Sequence, residues 1–539
     1  MLNKYKKLIF SVIRIIVVIA GGAYHFGILC SFAPNAEDLA TTQRWYLILE
    51  YGKTYHHYNI IYDMVSCLSV LIGGMSYFSV RLEFTLFYTM VLGLSLFLVM
   101  LGKKWEKCWP LVSLWAFFMI LIHTVQSGST FLRLLDEDDL IMFFPYDYHI
   151  VPLIFSLVSI ILLQCYMDAN KGKRKIIIGC VGILVGGYAL LFTDLVYYII
   201  FVCPLLIVLV LKGFYSEKTR KYMMPLFALG VGVIMLTRIL PGDLFGKLWS
   251  MKTLGTSYGD IYGATDWLNL DNLFLHVTNY IKTVMILFNI ELSDRPIISF
   301  YSILFVVRIA FVVIGYVIVA RIVVGSVRGR SEQNGYIITD EILAWAFVLL
   351  SCAYIFTRNA LYRDVMRYYA ALVPILTILL CRHIRSFMRG LLPILETIRY
   401  QKLYFAGIIS ALCICQMEPV WLYEEEDSYR DECETVIEYL RQWGVEQDGY
   451  VLAPYRLYTR LSAMTNGEIL FFDSVPEIKE IYGEEADFRY MVVGWDSYSF
   501  FRYPLESYAY GSYEEMCENY KVPIRAVDLD YVFVCDFGE

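Results

Sequence analysis

The 539-residue chain is 58% hydrophobic and 18% charged, with a formal net charge of -7. Apolar runs of about 20 residues recur along it, which excludes an ordinary soluble globular protein and points to a polytopic membrane protein. The charge is partitioned: Glu418 to Glu539 holds 27 acidic and 9 basic residues, net -18, and the remainder holds 25 and 36, net +11. A basic membrane body therefore carries an acidic tail, and no basic patch interleaved with aromatics points to a nucleic-acid partner.

The first apolar run, Leu8 to Cys30, follows Lys4, Lys6 and Lys7. It is too long for the core of a signal peptide and lacks a small-residue cleavage site, so a retained helix starting in the cytoplasm is expected. Short basic loops at Lys103-Lys107, Lys171-Lys175, Lys212-Lys221, Arg321-Arg330 and Arg382-Arg389 are expected on the cytoplasmic side. Walking between them predicts eleven spans, near 9-30, 83-101, 108-124, 149-166, 176-192, 195-211, 223-240, 298-322, 340-357, 368-381 and 401-417. The N-terminus is then inside and the tail outside. Ile60 to Val80 is apolar enough to span, but it would break this parity and carries Asp63, Ser66, Ser69, Gly73, Gly74 and Ser76. It is expected as a helix lying on the outer surface and ending at Arg81. Asp271 to Glu291, interrupted by Asn272, His276, Asn279 and Lys282, is placed in a long outer loop for the same reason.

The 13 cysteines lie mostly inside apolar segments, Cys180, Cys203, Cys352, Cys381 and Cys413 among them, where Cys behaves as a small hydrophobe. Cys433, Cys517 and Cys535 in the tail allow at most one intramolecular disulfide and leave the compartment open. From about Pro419 the pattern changes to alternating helix and strand. Asp431 to Trp443 has helical period, Gly449 to Ala453 has the look of a buried strand, and Tyr455 to Met464 of a helix. Thr465-Asn466-Gly467 is a turn before a strand at Ile469 to Phe472, and Tyr531 to Val534 predicts another strand. The fold class expected is a polytopic α-helical membrane domain over 1-417 followed by a small extracytoplasmic α/β domain over 418-539. The tail has no Gly-rich phosphate loop and no Cys/His set at metal-ligand spacing.

The outer loops, 31-82, 125-148, 241-297 and 358-367, are long, which puts the working surface outside. In the first of them Glu37 and Asp38 are adjacent carboxylates where a membrane helix would surface. Carboxylates there are costly to desolvate and must be useful, paired or well hydrated; a solvated helix cap is the plain alternative.

The order of these features resembles the front end of GT-C membrane glycosyltransferases, such as the aminoarabinose transferases and protein O-mannosyltransferases, which use polyprenyl-phosphate sugars. Those enzymes open the first outer loop with a catalytic Asp, often followed by Glu, about fifteen residues before a Gly; here Glu37 stands fifteen positions before Gly52, with Asp38 beside it. Their surface helix ends in a small-residue turn and an Arg, matched by Ile60-Val80 and Arg81. Their second outer acid maps to Asp147, in Tyr146-Asp147-Tyr148-His149. Asp194, in Phe192-Thr193-Asp194-Leu195, falls on a tight outer turn common to such chains, and Arg367-Tyr368-Tyr369 resembles their Arg-Tyr entry into a late span. The tail from Tyr439 to Ile469 resembles the C-terminal domain of bacterial relatives. The departure is Glu37 where Asp is usual.

The resemblance implies an inverting glycosyltransferase in a bacterial plasma membrane, with membrane lipid and a polyprenyl-phosphate-linked sugar as partners. It implies Glu37 or Asp38 as base, Asp147 and His149 orienting the acceptor, and Arg81, Arg358, Arg363 and Arg367 on the phosphate. A guanidinium suits phosphate because its fork donates two hydrogen bonds at once, although each arginine would equally serve as a headgroup anchor. His56 and His57 could join a metal with the acidic pair, but adjacent His side chains diverge on most backbones and loop solvation explains them as well. Asp136 to Asp139 could hold a divalent cation or form a solvated acidic turn; a metal is possible and not required. A transporter or flippase would want internal repeats and broken mid-membrane helices, which are not seen. A membrane-anchored binding protein is the remaining alternative.

Overall fold

The computed structural model describes residues 11-12, 14-19, 22, 36-52, 60-102, 105-123, 150-169, 172-192, 195-215, 273-288, 290, 300-330, 337-356, 369-391, 427-445, 449-453, 455-472, 475-486, 488-495, 509-510, 522-529 and 532-538. The helical part comprises α1 (Ala36–Tyr51), α2 (Ile60–Gly73), α3 (Tyr77–Met100), α4 (Trp105–His123), α5 (Ile150–Asp168) and α6 (Lys173–Phe192). It continues through α7, which runs from Leu195–Tyr197 across a π-turn at Tyr198–Val202 into Cys203–Tyr215, and then α8 (Leu273–Leu287), α9 (Phe300–Val327), α10 (Ile338–Ile355) and α11 (Leu372–Leu391). Among the described residues four helices are long and apolar enough to cross a membrane: Tyr77–Met100, Ile150–Asp168, Phe305–Val327 and Ile338–Ile355. The expected spans near 223-240 and 401-417 lie outside the described residues.

Ile60 to Val80 is not one helix. It breaks at Gly74, whose φ of +65° an L side chain resists, and Ser79 Oγ donates to the Gly74 carbonyl at 2.7 Å. Arg81 therefore lies in the second turn of α3 rather than at the end of a surface helix. At 14 residues α2 is about 21 Å long, short of a bilayer core. Its buried face carries Asp63, Ser66 and Ser69 beside Tyr62 and Val70, while Met64, Leu68, Leu71 and Ile72 are exposed. In α8 likewise, His276, Tyr280 and Thr283 are buried and Phe274, Leu275 and Ile281 exposed. Polar groups inside and apolar groups outside suit helices whose solvent is hydrocarbon, where an unpaired polar group has no water to turn to.

The helices pack tightly. Gly315 in α9 meets α11 so closely that an added Cβ would lie 2.7 Å from Leu376 Cδ1. The helix α11 also continues beyond the expected span, through Arg382 to Arg389, so Arg382 and His383 are buried helical residues and not part of a solvated loop.

Among its described residues the tail folds around a six-stranded sheet of β1 (Gly449–Leu452), β2 (Ile469–Phe472), β3 (Tyr490–Trp495), β4 (Ala509–Tyr510), β5 (Arg525–Asp528) and β6 (Val532–Asp536). The strand order is β2-β1-β3-β6-β5, with β4 beside β3. β1 is parallel to β2 and β3, and β6 is antiparallel to β3 and β5. Alternation along the strands gives the sheet two apolar faces. Val451, Ile469, Phe471, Val492 and Val534 share a core with α12 (Asp427–Gln442) and α13 (Tyr455–Met464). Leu452, Leu470, Phe472 and Met491 face the other way, toward Ile478 of α14 (Val475–Tyr482) and Leu47 of α1.

Candidate functional site

α1 is the element on which the expected site depends. Glu37 and Asp38 fall in its first turn, where the helix dipole favours negative charge; their side chains lie outside what is described. The rest of the helix is held from two sides. Leu39 joins the core of the helical bundle, whereas Leu47 completes the second face of the tail sheet. Between them, the buried Gln43 donates from Nε2 to the Phe471 carbonyl of β2 at 2.7 Å. The ring of Tyr51 lies 6.1 Å from that of Tyr482. Gly467, at φ +80°, lies so near that a Cβ there would stand 3.1 Å from Tyr46 Cζ and 3.2 Å from Met75 Cβ. The acidic pair therefore rides on a helix wedged between bundle and sheet domain.

Arg81 is exposed on α3, which packs against α1. His56, His57, Asp147, His149, Asp194, Arg358, Arg363 and Arg367 lie outside the described residues, as does the Asp136-Asp139 run.

Two polar clusters in the bundle were not singled out by the sequence. The first, at the start of α10, is charged. Asp340 is buried, with Oδ1 2.6 Å from Arg382 Nε and Oδ2 3.1 Å from His383 Nε2. Its Oδ2 also accepts the Ile337 N–H at 3.0 Å, capping α10. Arg382 Nη1 donates to the Leu98 and Leu101 carbonyls at 2.8 and 2.9 Å, at the C-terminal end of α3 where carbonyls run short of helical partners; Leu98 also accepts the Leu101 N–H at 3.3 Å. The neighbouring Glu341 takes Lys212 Nζ at 3.1 Å and the Ser326 hydroxyl at 3.2 Å. Thr339 donates to Gln164 Oε1 at 3.0 Å. Ends of α3, α5, α7, α9 and α10 are thus tied to one another and to the middle of α11, beside the basic segments.

The second cluster, toward the other end of α10, is neutral. The fully buried His276 meets the Ile355 carbonyl through Nδ1 at 2.9 Å. The Tyr280 hydroxyl bonds those of Tyr316 and Ser351, and Thr283 bonds Tyr354 at 2.8 Å. Tyr369 stands edge-on to Tyr354 with centroids 4.7 Å apart. In the N-terminal half of α9, the buried Arg308 donates to the Leu121 carbonyl at 3.0 Å.

α3 relates these ends. Its last carbonyls meet Arg382, whereas its first turn follows Met75, which touches Gly467 of the sheet domain. The sheet domain and α1 thus belong to the end of the bundle away from the charged cluster. Among the described residues no three of His, Cys, Asp and Glu group as metal ligands. No protein-family model matches the chain, and no curated protein matches it.

Proposed function

We propose that the chain is a membrane glycosyltransferase that moves a sugar from a polyprenyl-phosphate donor to an acceptor hydroxyl on the outer side of the membrane, with inversion. The observation that carries this reading is the seating of α1. A general base works only if held within hydrogen-bond reach of the proton it removes, and the helix that opens with Glu37 and Asp38 is gripped by Leu39 in the bundle and by Gln43 and Leu47 in the sheet domain. In the reaction, Glu37 or Asp38 takes the acceptor hydroxyl proton and that oxygen attacks the anomeric carbon. The bond from that carbon to the phosphate oxygen breaks, and polyprenyl phosphate leaves with the electron pair. Arg81, Arg358, Arg363 and Arg367 are the cations proposed to meet the leaving phosphate, with Asp147 and His149 orienting the acceptor. The inside-out polarity of α2 and α8 supports a membrane setting, and the eleven-span topology with the tail outside belongs to this reading.

The test is sugar transfer from polyprenyl-phosphate donors by protein in lipid nanodiscs, with Glu37→Gln and Asp38→Asn compared with wild type. Loss of about 10²–10⁴-fold in kcat in one variant is the expected result for a carboxylate base. Full activity in both variants removes the assignment.

A further inference from the structure

The sheet of the tail meets α1 edge-on. β2 is the last strand on its side of the sheet, so every second residue in it turns its N–H and C=O away from β1. Phe472 faces inward, and its carbonyl accepts the Ala453 N–H at 2.8 Å. Ile469 and Phe471 face outward. Their N–H groups are met from within the tail, by Thr465 Oγ1 at 3.4 Å and Ser462 Oγ at 3.0 Å. The carbonyl of the buried Phe471 is met from outside it, by Gln43 Nε2 of α1 at 2.7 Å.

That bond differs in kind from the apolar contact that Leu47 makes with the same domain. Burial of apolar surface is non-directional and lets a helix slide or roll by a fraction of a turn. A hydrogen bond weakens steeply as it bends, so it fixes the point along α1 at which the sheet edge sits. Gln43 follows Glu37 by six residues and Asp38 by five, about 9 and about 8 Å of helix rise. The sheet domain is itself anchored. Ala463 of α13 joins the core of the bundle. The turn after α13 sets Gly467 against both Tyr46 of α1 and Met75, two residues before α3 begins. One turn of the tail thus spaces the helix that opens with the acidic pair from the helix that bears Arg81.

We propose that the sheet domain is the positioning element of the transferase, and that Gln43 is the positioning residue through which it holds Glu37 and Asp38 in place for the acceptor proton. The proposal rests on the glycosyltransferase reading. It gives the tail a role which that reading leaves open: the tail supports the base instead of holding a substrate site of its own.

Gln43→Met keeps the length and bulk of the side chain and removes its donor. Leu440→Ala is the control, because Leu440 is buried in the other apolar core of the sheet domain, which holds no described residue of α1. Transfer from a polyprenyl phosphate carrying a hexose is read as release of bare polyprenyl phosphate. Full-length protein is used in native membrane vesicles, below the thermal midpoint of every variant. A misplacement of about 1 Å can cost about 10²-fold in rate. With Leu39 and Leu47 still in place the shift is smaller, and Gln43→Met is expected to lower kcat about tenfold with KM for the lipid donor unchanged. Leu440→Ala is expected to lower the thermal midpoint at least as far and to keep kcat. Full kcat in Gln43→Met overturns the assignment and leaves Glu37 and Asp38 untouched. So does a kcat that falls in both variants in step with their midpoints, which would make Gln43 a stabilising residue only. A wild type that releases no polyprenyl phosphate overturns the glycosyltransferase reading and this inference with it. Should Gln43→Met not fold, hydrogen exchange on the wild type in nanodiscs supplies the decision. The amides of α1 are expected to lose protection together with those of β2 as urea is raised, while those of α3 hold. Protection of α1 that outlasts that of β2 overturns the assignment.

Discussion

The two ends of the bundle are stabilised by different chemistry. At the start of α10, ions are buried and each meets an opposite charge or a backbone dipole: Asp340 takes Arg382 and the Ile337 N–H, and Arg382 donates through Nη1 to the Leu98 and Leu101 carbonyls at the end of α3. Toward the other end, neutral hydroxyls and one imidazole hold α8, α9 and α10 together. Buried ions are stable only when fully paired, and removing one partner strands the other. Neutral hydroxyls tolerate an open acceptor at modest cost. The charged end is therefore suited to fixing helix ends in register, and the neutral end to holding helices together at lower stakes.

The largest expected effect breaks the charged end. Arg382→Leu leaves Asp340 buried without its guanidinium and strips the caps from Leu98 and Leu101; a loss of about 3–5 kcal/mol is expected, read as a large fall in thermal midpoint in detergent. The double variant Asp340→Asn/Arg382→Met is expected to recover part of that loss, because no ion is then stranded. A single variant that unfolds like wild type would erase the difference between the ends.

Next in size is Gln43→Leu, which leaves the buried Phe471 carbonyl without its side-chain donor at the junction of α1 and the sheet; about 1–3 kcal/mol is expected. Limited proteolysis reads it, because the tail should be cut free of the bundle faster than in wild type. Tyr280→Phe at the neutral end interrupts the Tyr316–Tyr280–Ser351 chain without changing ring packing, and a smaller loss of about 0.5–1.5 kcal/mol is expected. A midpoint shift as large as that of Arg382→Leu would show that the neutral end is as tightly locked as the charged one.

The sequence made the local elements legible and hid the contacts between them. Strand Ile469–Phe472 and helix Tyr455–Met464 stand where their periodicity puts them, because both faces of that strand are apolar and Asn466-Gly467 supplies the positive-φ turn before it. Strand Tyr490–Trp495 and helix Val475–Tyr482 escaped notice, being short and set among acidic residues that pass for loop. Arg382 to Arg389 was expected in a loop because clustered charge normally seeks water; the helix continues since Arg382 finds Asp340 and the α3 carbonyls inside the protein. Nothing local to Gln43 announces that its partner lies 428 residues away. Of the expected site, the sequence singled out Glu37 and Asp38 but set them in an outer loop, while the helix Ala36–Tyr51 that carries them and the grip of the sheet domain on it depend on long-range packing.

The smallest effect belongs to the sheet domain, where a charge pair is only half withdrawn from water. Asp536 at the end of β6 is buried, and that burial raises its pKa. The hydrogen bonds from Arg489 and the Gly538 N–H, with the charges of Arg489 and Arg525, outweigh burial and hold the carboxyl below the usual range. A carboxyl lowered on folding adds stability above its unfolded pKa of about 3.9, and that contribution disappears as the pH falls through the folded value. Wild type and Asp536→Asn are thus expected to differ most near neutral pH and to converge in acid, as read by thermal midpoints across pH 2 to 7. Arg489 is 38% exposed, so solvent weakens the pair and the neutral-pH gap should fall well short of that for Arg382→Leu. A gap equal to it would mean that burial of one partner alone decides the strength of such a pair, and the contrast drawn between paired ions inside the bundle and paired ions at a wet edge would fail.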